Sequence, residues 1–201
     1  RHRSVRRMHD EPCGYAELHC LSHFSFQRGA SSAEELFARA KQLGYAALAI
    51  TDECSLAGAV RALQASETHQ LKLIVGSEFR LDCGLKFVLL CADLGGYAAL
   101  SRLITTGRRA ADKGTYRLQR DDVSAIACDG LLALWMPQAR ERWDEELDWL
   151  HSQFPQRCWI AVERHRCPAR EPHPAALAAL AHAQRVPQVA CGDVHMHQRR
   201  R

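Results

Sequence analysis

Imidazoles and carboxylates recur along this 201-residue chain at the ends of short apolar runs, and their placement suggests a shared site. His19 closes a run at 16–20, Asp52 and Glu53 follow one at 46–50, and Glu78 ends one at 73–79. Glu163 and His165 come at the end of 158–163, and Asp193 and His195 follow 188–191. A polynuclear zinc or manganese site needs such groups from several directions, because hard and borderline ligands must surround ions held a few ångströms apart. His69, His151 and His182 stand alone in helical patterns and read as surface groups.

To bring those groups together the chain must supply strands that end on one rim. The runs at 16–20, 46–50, 73–79, 86–91, 131–135, 158–163 and 188–191 are rich in β-favouring residues and predict seven strands. Helical patterns fall between most of them, at 56–66, 96–107, 141–152, 174–184 and, most clearly, after Ser31 and Ser32. Each of those serines stands three residues before a glutamate, Glu34 or Glu35, and Leu36, Phe37, Ala40 and Leu43 then form one apolar stripe ended by Gly44. The link 80–85 between the third and fourth strands is too short for a crossover helix and predicts a hairpin. Alternating strands and helices imply an α/β fold with a mainly parallel sheet, and seven strands are enough to curl into a barrel whose chemistry sits at the strand C-termini.

Hydrophobic residues make up 47% of the chain, enough for one substantial core. The net charge of +4 is concentrated at the ends, in Arg1, Arg3, Arg6 and Arg7, with His2 among them, and in Arg199, Arg200 and Arg201, so the body is close to neutral when histidine is counted as uncharged. Nine cysteines without a C-x-x-C pair, several of them inside apolar runs, fit free thiols in a reducing cytoplasm better than a disulfide framework. No stretch is apolar for long enough to cross a bilayer as a helix. Neither a G-x-G-x-x-G nor a Walker A sequence occurs. Three of Trp135, Trp143, Trp149 and Trp159 lie within apolar patterns and are expected to fill the core.

Four blocks, Tyr15–Ser31, Ala49–Gly58, Ile74–Phe79 and Gly192–His197, resemble in order and spacing the successive motifs of the PHP (polymerase and histidinol phosphatase) domain of C-family DNA polymerases. Their wording is most similar to the error-prone, translesion branch. The resemblance implies a distorted seven-stranded β/α barrel over 15–197, with a disordered basic segment at 1–14 and a basic end at 198–201 that stops short of polymerase domains. It implies that His19, Glu78, Asp193 and His195 match metal ligands of the family, with His165 near the place of a later histidine. Leu21 stands where a second histidine belongs, Arg28 where an aspartate belongs, Glu53 where a histidine follows Thr-Asp, and Lys86 where another histidine belongs.

Two of these replacements put a permanent cation where a metal ligand should be. The expectation is a vestigial cleft of His19, Asp52, Glu53, Glu78, His165, Asp193 and His195, in which Arg28 and Lys86 pair with the carboxylates in place of a metal cluster. The function expected is support of a longer error-prone DNA polymerase acting past DNA damage, with no polymerase activity in the segment alone. Magnesium would act in absent polymerase domains, and the partners implied are DNA, a sliding clamp and accessory mutagenesis proteins. The alternative is a metal-dependent phosphoesterase or 3′-5′ nuclease in which His19, Glu78, Asp193 and His195 hold one zinc or manganese ion that activates water. A third reading is a nucleic-acid-binding domain that uses its basic ends.

Overall fold

A computed structural model describes residues 14–127, 129–138, 142–163 and 174–198. The expected basic ends therefore lie outside the described residues, apart from Gly14 and Gln198, as does His165. The elements run β1 (Ala16–Glu17), α1 (Ala33–Gln42), β2 (Ala47–Ile50), α2 (Ala59–His69), β3 (Lys72–Arg80), β4 (Lys86–Cys91), α3 (Leu94–Arg109), α4 (Arg120–Ser124), β5 (Leu131–Trp135), α5 (Trp143–Gln153), β6 (Cys158–Val162), α6 (Pro174–Gln184) and β7 (Gln188–Ala190). All seven strands lie in one sheet in sequence order. The short α4 carries too few residues for a periodic apolar signal and was not anticipated.

The sheet is parallel except at β4, which runs against both β3 and β5. The hairpin expected at 80–85 is present. Its consequence is that α3 joins β4 to an antiparallel neighbour, so the crossover there differs from the parallel pattern of the rest. The first strand is shorter than its apolar run. Past Glu17 the backbone keeps a bond to the residue after β2, with Thr51 N–H donating to the Cys20 carbonyl at 2.8 Å, while Cys20 also bridges Val194 at the other edge of the sheet. Leu21 N–H donates to the Val194 carbonyl at 2.8 Å and Val194 N–H to the His19 carbonyl at 3.0 Å. These bonds draw the two edges together into a nearly closed barrel. Glu17 fastens the same seam: its buried carboxylate accepts from the N–H groups of His19 and Gly192 and from the Tyr15 hydroxyl.

Alternate residues divide the strands between two surfaces. Ala49, Val88, Leu90, Leu134, Met136, Ala161 and Cys191 pack within the barrel. Phe79, Phe87, Leu89, Leu131, Ala133, Trp135 and Ile160 pack outward beneath α3, α5 and α6. Leu48 and Ile50 meet α1 and α2 in a separate cluster with Phe37 and Leu36. Trp135 is fully buried with its indole N–H on Glu146, and Trp143 lies edge-on to it, as expected for core aromatics. The N-cap of α1 is Ser32, with Glu35 completing the capping box, while Ser31 turns to His197. No described helix is long and apolar enough to cross a membrane. The six described cysteines, Cys20, Cys54, Cys83, Cys91, Cys158 and Cys191, are free.

The start of α3 shows how closely helix and sheet approach. Gly96 N–H meets the Asp93 side chain at 2.8 Å, and a Cβ on Gly96 would lie 1.9 Å from the Gly130 carbonyl oxygen, a backbone atom that cannot swing aside. The neighbouring Gly95 would meet only the Asp93 carboxylate at 3.2 Å. Glycine to alanine in a helix ordinarily stabilises by up to about 1 kcal/mol. Gly95→Ala should follow that rule, whereas Gly96→Ala should destabilise by about 2 kcal/mol or more as strand and helix are pushed apart. Urea unfolding of the two variants would check the opposite signs.

Candidate functional site

Glu78 sits near the end of β3 at 1% exposure, and the rim of the barrel is organised around it. His19 arrives at the end of the β1 segment and places Nε2 2.7 Å from Glu78 Oε2. Arg28, on the loop between β1 and α1, places Nη1 2.6 Å from Oε1 and Nη2 3.1 Å from Oε2. Lys86 opens β4, and because β4 is reversed its first residue lies on the rim where the parallel strands end. The register pairs Glu78 with Val88 and Arg80 with Lys86, so Lys86 lies diagonally across from Glu78 on the same face, with Nζ 3.1 Å from Oε2. Both oxygens of Glu78 are thus engaged by cations. Burial pushes its pKa up, but His19, Arg28 and Lys86 outweigh burial and hold the carboxyl well below the usual range.

The other nitrogen of His19, Nδ1, lies 2.7 Å from Glu163 and 3.4 Å from Asp193. A neutral ring has one N–H, so a ring with a carboxylate on each nitrogen is an imidazolium. Burial drives the His19 pKa down, but the hydrogen bonds to Glu163 and Glu78 and the charges of Glu163 and Asp193 carry it up to about 9. Asp193 is bonded in turn by His195 at 2.9 Å. Burial raises the Asp193 pKa, while His195, His19 and Lys86 lower it further, to about 2. Asp193 holds a left-handed backbone, φ 45°, directly before Val194 makes the seam bond.

Glu53 stands at the edge of the cluster. Arg28 Nη1 donates to it at 2.5 Å and the Tyr116 hydroxyl at 2.9 Å. Burial and the Glu53 charge push the Tyr116 pKa up, so the hydroxyl remains a donor. Asp52 is placed elsewhere: its buried carboxylate accepts from Ser22 N–H, Ser22 Oγ and Ser25 Oγ at 2.7–2.8 Å. It ties down the 22–29 loop and makes no bond to Arg28 or Lys86.

Thus His19, Glu53, Glu78, Asp193 and His195 come together with Arg28 and Lys86, Asp52 serves the loop beside them, and His165 is outside the described residues. At the end of β6 it is Glu163 that reaches His19. Glu17 and Tyr116 were not foreseen. Glu17 lies two residues before His19 in an apolar run, where a buried acid is the available signal; Tyr116 comes from a loop with none.

One ligand atom each from His19, Glu78 and Asp193 lies within 4.8 Å of the others, a spacing that suits a single ion. A polynuclear cluster does not fit these residues. Leu21 is fully buried and has no donor, while Arg28 and Lys86 direct permanent charge onto the one carboxylate central to the group.

Over residues 17–155 the chain matches the PHP domain family. It is 62% identical over 187 residues to an error-prone DNA polymerase of Pseudomonas aeruginosa and 59% identical to one of Pseudomonas fluorescens, covering 93% of this chain and 18% of each relative. The chain therefore spans about a fifth of the length of these curated relatives. Among solved structures it is similar to an amidohydrolase from Chromobacterium violaceum, with TM-score 0.62, 14% identity and coverage of 90% and 87% of the two chains. It is also similar to a two-domain protein of Bacteroides vulgatus that contains a predicted PHP-like metal-dependent phosphoesterase, with TM-score 0.59, 16% identity and coverage of 90% and 52%. At these identities the structural likeness speaks for the fold alone.

Removing the central charge should leave three cations facing one another. Glu78→Gln is expected to lower unfolding free energy by about 3–5 kcal/mol. Glu78→Gln combined with Lys86→Met should recover part of that loss, read from the same urea curves. In the presence of chelator, the stability contributed by His19 should be complete below its ordinary pKa of 6.5 and be lost as pH rises through about 9. That contributed by Asp193 should be present above its ordinary 3.8 and be lost as pH falls toward about 2. Unfolding midpoints that stay level between neutral pH and pH 9, while His19→Gln behaves like the parent, would contradict the paired imidazolium.

Proposed function

Since the chain belongs to the PHP domain family, we propose that it is the PHP domain of an error-prone DNA polymerase, a structural module supporting DNA synthesis past damage in a longer protein. The observation that carries this reading is the engagement of both Glu78 oxygens by Arg28 and Lys86. Ion pairs within the chain hold the cleft that a metal cluster would otherwise organise. The segment has little or no hydrolytic activity of its own. Nucleotidyl transfer and its magnesium belong to domains outside this chain, and the longer protein works on DNA in the cytoplasm, with a sliding clamp and accessory mutagenesis proteins as partners.

A second reading is favoured by the proximity of His19, Glu78 and Asp193. With His195 nearby, this group could hold one zinc or manganese ion, which would supply a Lewis acid for phosphate-ester hydrolysis. For His19 to serve it must give up a proton held up to about 9, and Glu78 must release at least one cation. Both steps oppose loading at neutral pH.

Elemental analysis of protein purified without chelator separates the two readings. The supporting role predicts less than about one ion per chain, unchanged in a His19→Ala, Asp193→Ala double variant. Stoichiometric metal that the double variant loses would favour the hydrolase. For the longer protein, primer extension past a template lesion should decline in Glu78→Gln as the folded fraction declines, with the nucleotide KM unchanged. Support acts through the fold, away from the reacting atoms. A selective change in nucleotide KM at full folding would overturn it.

A further inference from the structure

The stretch from 102 to 117 carries Arg102, Arg108, Arg109, Lys113 and Arg117 against a single acid, Asp112. Arg108 is used by the fold: it donates to the carbonyls of Glu53, Cys54 and Thr115 at 3.0–3.2 Å and lies over the Tyr116 ring. Arg102, Arg109, Lys113 and Arg117 are exposed, and so is Arg80, whose backbone N–H bonds the Tyr116 hydroxyl. None of these five makes an ion pair among the described residues. Arg109 alone could be ascribed to the helix C-terminus, where a cation complements the dipole. Arg80, Lys113 and Arg117 lie outside the helix, so that account does not cover the group.

Across a cleft of about 470 Å³ from Arg108, Thr115 and Tyr116 stands the 22–29 loop with Phe24 and Phe26. Phe26 is 85% exposed. Its exposure is not a matter of a loose loop, because the backbone is held on both sides of it. Ser22 and Ser25 bond Asp52, Gly29 N–H bonds the Ser25 carbonyl, Arg28 is clamped by Glu53 and Glu78, and Gln27 takes a left-handed φ of 62°. Arg109, Lys113 and Arg117 are next in sequence to the lining residues Arg108, Gly114 and Tyr116, so a rigidly presented ring and a run of exposed cations belong to the two walls of one cleft. Those are the two features that bind single strands without sequence preference: charge for the phosphates and a flat apolar face for a base.

We propose that the cleft between the 22–29 loop and the end of α3 with the 110–117 segment after it, together with the basic surface around it, binds single-stranded nucleic acid. Arg80, Arg109, Lys113 and Arg117 hold the backbone phosphates and Phe26 stacks on a base. Arg28 keeps its place in the ion cluster and serves here by fixing the loop. The inference goes beyond the supporting role above and draws on the ion cluster only through the pairs from Arg28 to Glu53 and Glu78 that fix the loop.

The test is fluorescence anisotropy of a labelled oligothymidylate of about twenty nucleotides, titrated with the 201-residue chain over a range of salt. Binding should weaken with salt at a slope of about −0.7 per phosphate held, near −3 for four contacts. Replacing Arg109, Lys113 and Arg117 with glutamine, all exposed positions, should weaken low-salt binding by at least about tenfold and flatten the slope by about two. Phe26→Ala should weaken it by roughly tenfold without changing the slope. Both effects should persist when Arg1, Arg3, Arg6, Arg7, Arg199, Arg200 and Arg201 are also made glutamine. Binding that disappears with the end substitutions and ignores the other variants would overturn the proposal. So would equal displacement by polyglutamate with Phe26→Ala neutral, which would make the surface a dock for acidic protein. Circular dichroism checks that each variant is folded, and lesion extension by the full-length protein reports separately on the supporting role.

Discussion

A carboxylate withdrawn from water costs several kcal/mol unless cations or donors replace the lost hydration, and Glu78 at the mouth of the barrel is met from three directions. His19, Arg28 and Lys86 come from the first strand segment, the loop behind it and the reversed strand β4. Two of these cations meet further negative charge, Glu53 at Arg28 and Glu163 and Asp193 at His19. In this way the requirement of one buried group ties together residues spread from 19 to 193. Such a network is costly to break at one member, although an apolar replacement of the whole would not necessarily be less stable.

The barrel holds these groups through backbone constraints that surround the cluster. The seam between β1 and β7 is set by the bonds of Leu21 and Val194 and by the buried Glu17 carboxylate. Asp52 fixes the loop that delivers Arg28, and Arg108 fixes the backbone of Glu53 and Cys54. Gln27, Cys54 and Asp193 all take left-handed backbones on these rim segments. Three non-glycine residues in that region are a conformational cost, and it is borne where side chains have to be aimed.

Much of this was legible in the sequence, and for physical reasons. The seven strands and the main helices were visible because burial on one face leaves periodic apolar patterns, and the 80–85 hairpin because a link that short leaves no room for a crossover. Arg28 and Lys86 were identified as counter-ions through the resemblance to the PHP domain, which sets them at ligand positions where a cation cannot coordinate. Their choice of partner was not legible: Asp52 was a candidate for pairing, but local serine donors claimed its carboxylate. Ser31 and Ser32 had equal claims to the helix cap until Ser31 was taken by His197, a contact across 166 positions that no local pattern reveals. Glu163 was read among the strand-end groups but left out of the narrower cleft set, and its bond to His19 shows how strand ends predict a neighbourhood better than they predict which residue in it bonds.

The reversal of β4 also makes the length of a turn decide an electrostatic outcome. Lys86 is locked in the ladder, with its carbonyl accepting from Met136 N–H and its partner fixed as Arg80. Its flanking residues Leu85 and Phe87 are fully buried in the core cluster beneath the helices. Because side chains alternate across a strand, adding or removing one residue in the tight turn before it would exchange the two sets. The lysine would then face a hydrocarbon core and the phenylalanine a group of carboxylates, so the spacing at 81–85 acts as a counting device, and the site's charge depends on keeping the count.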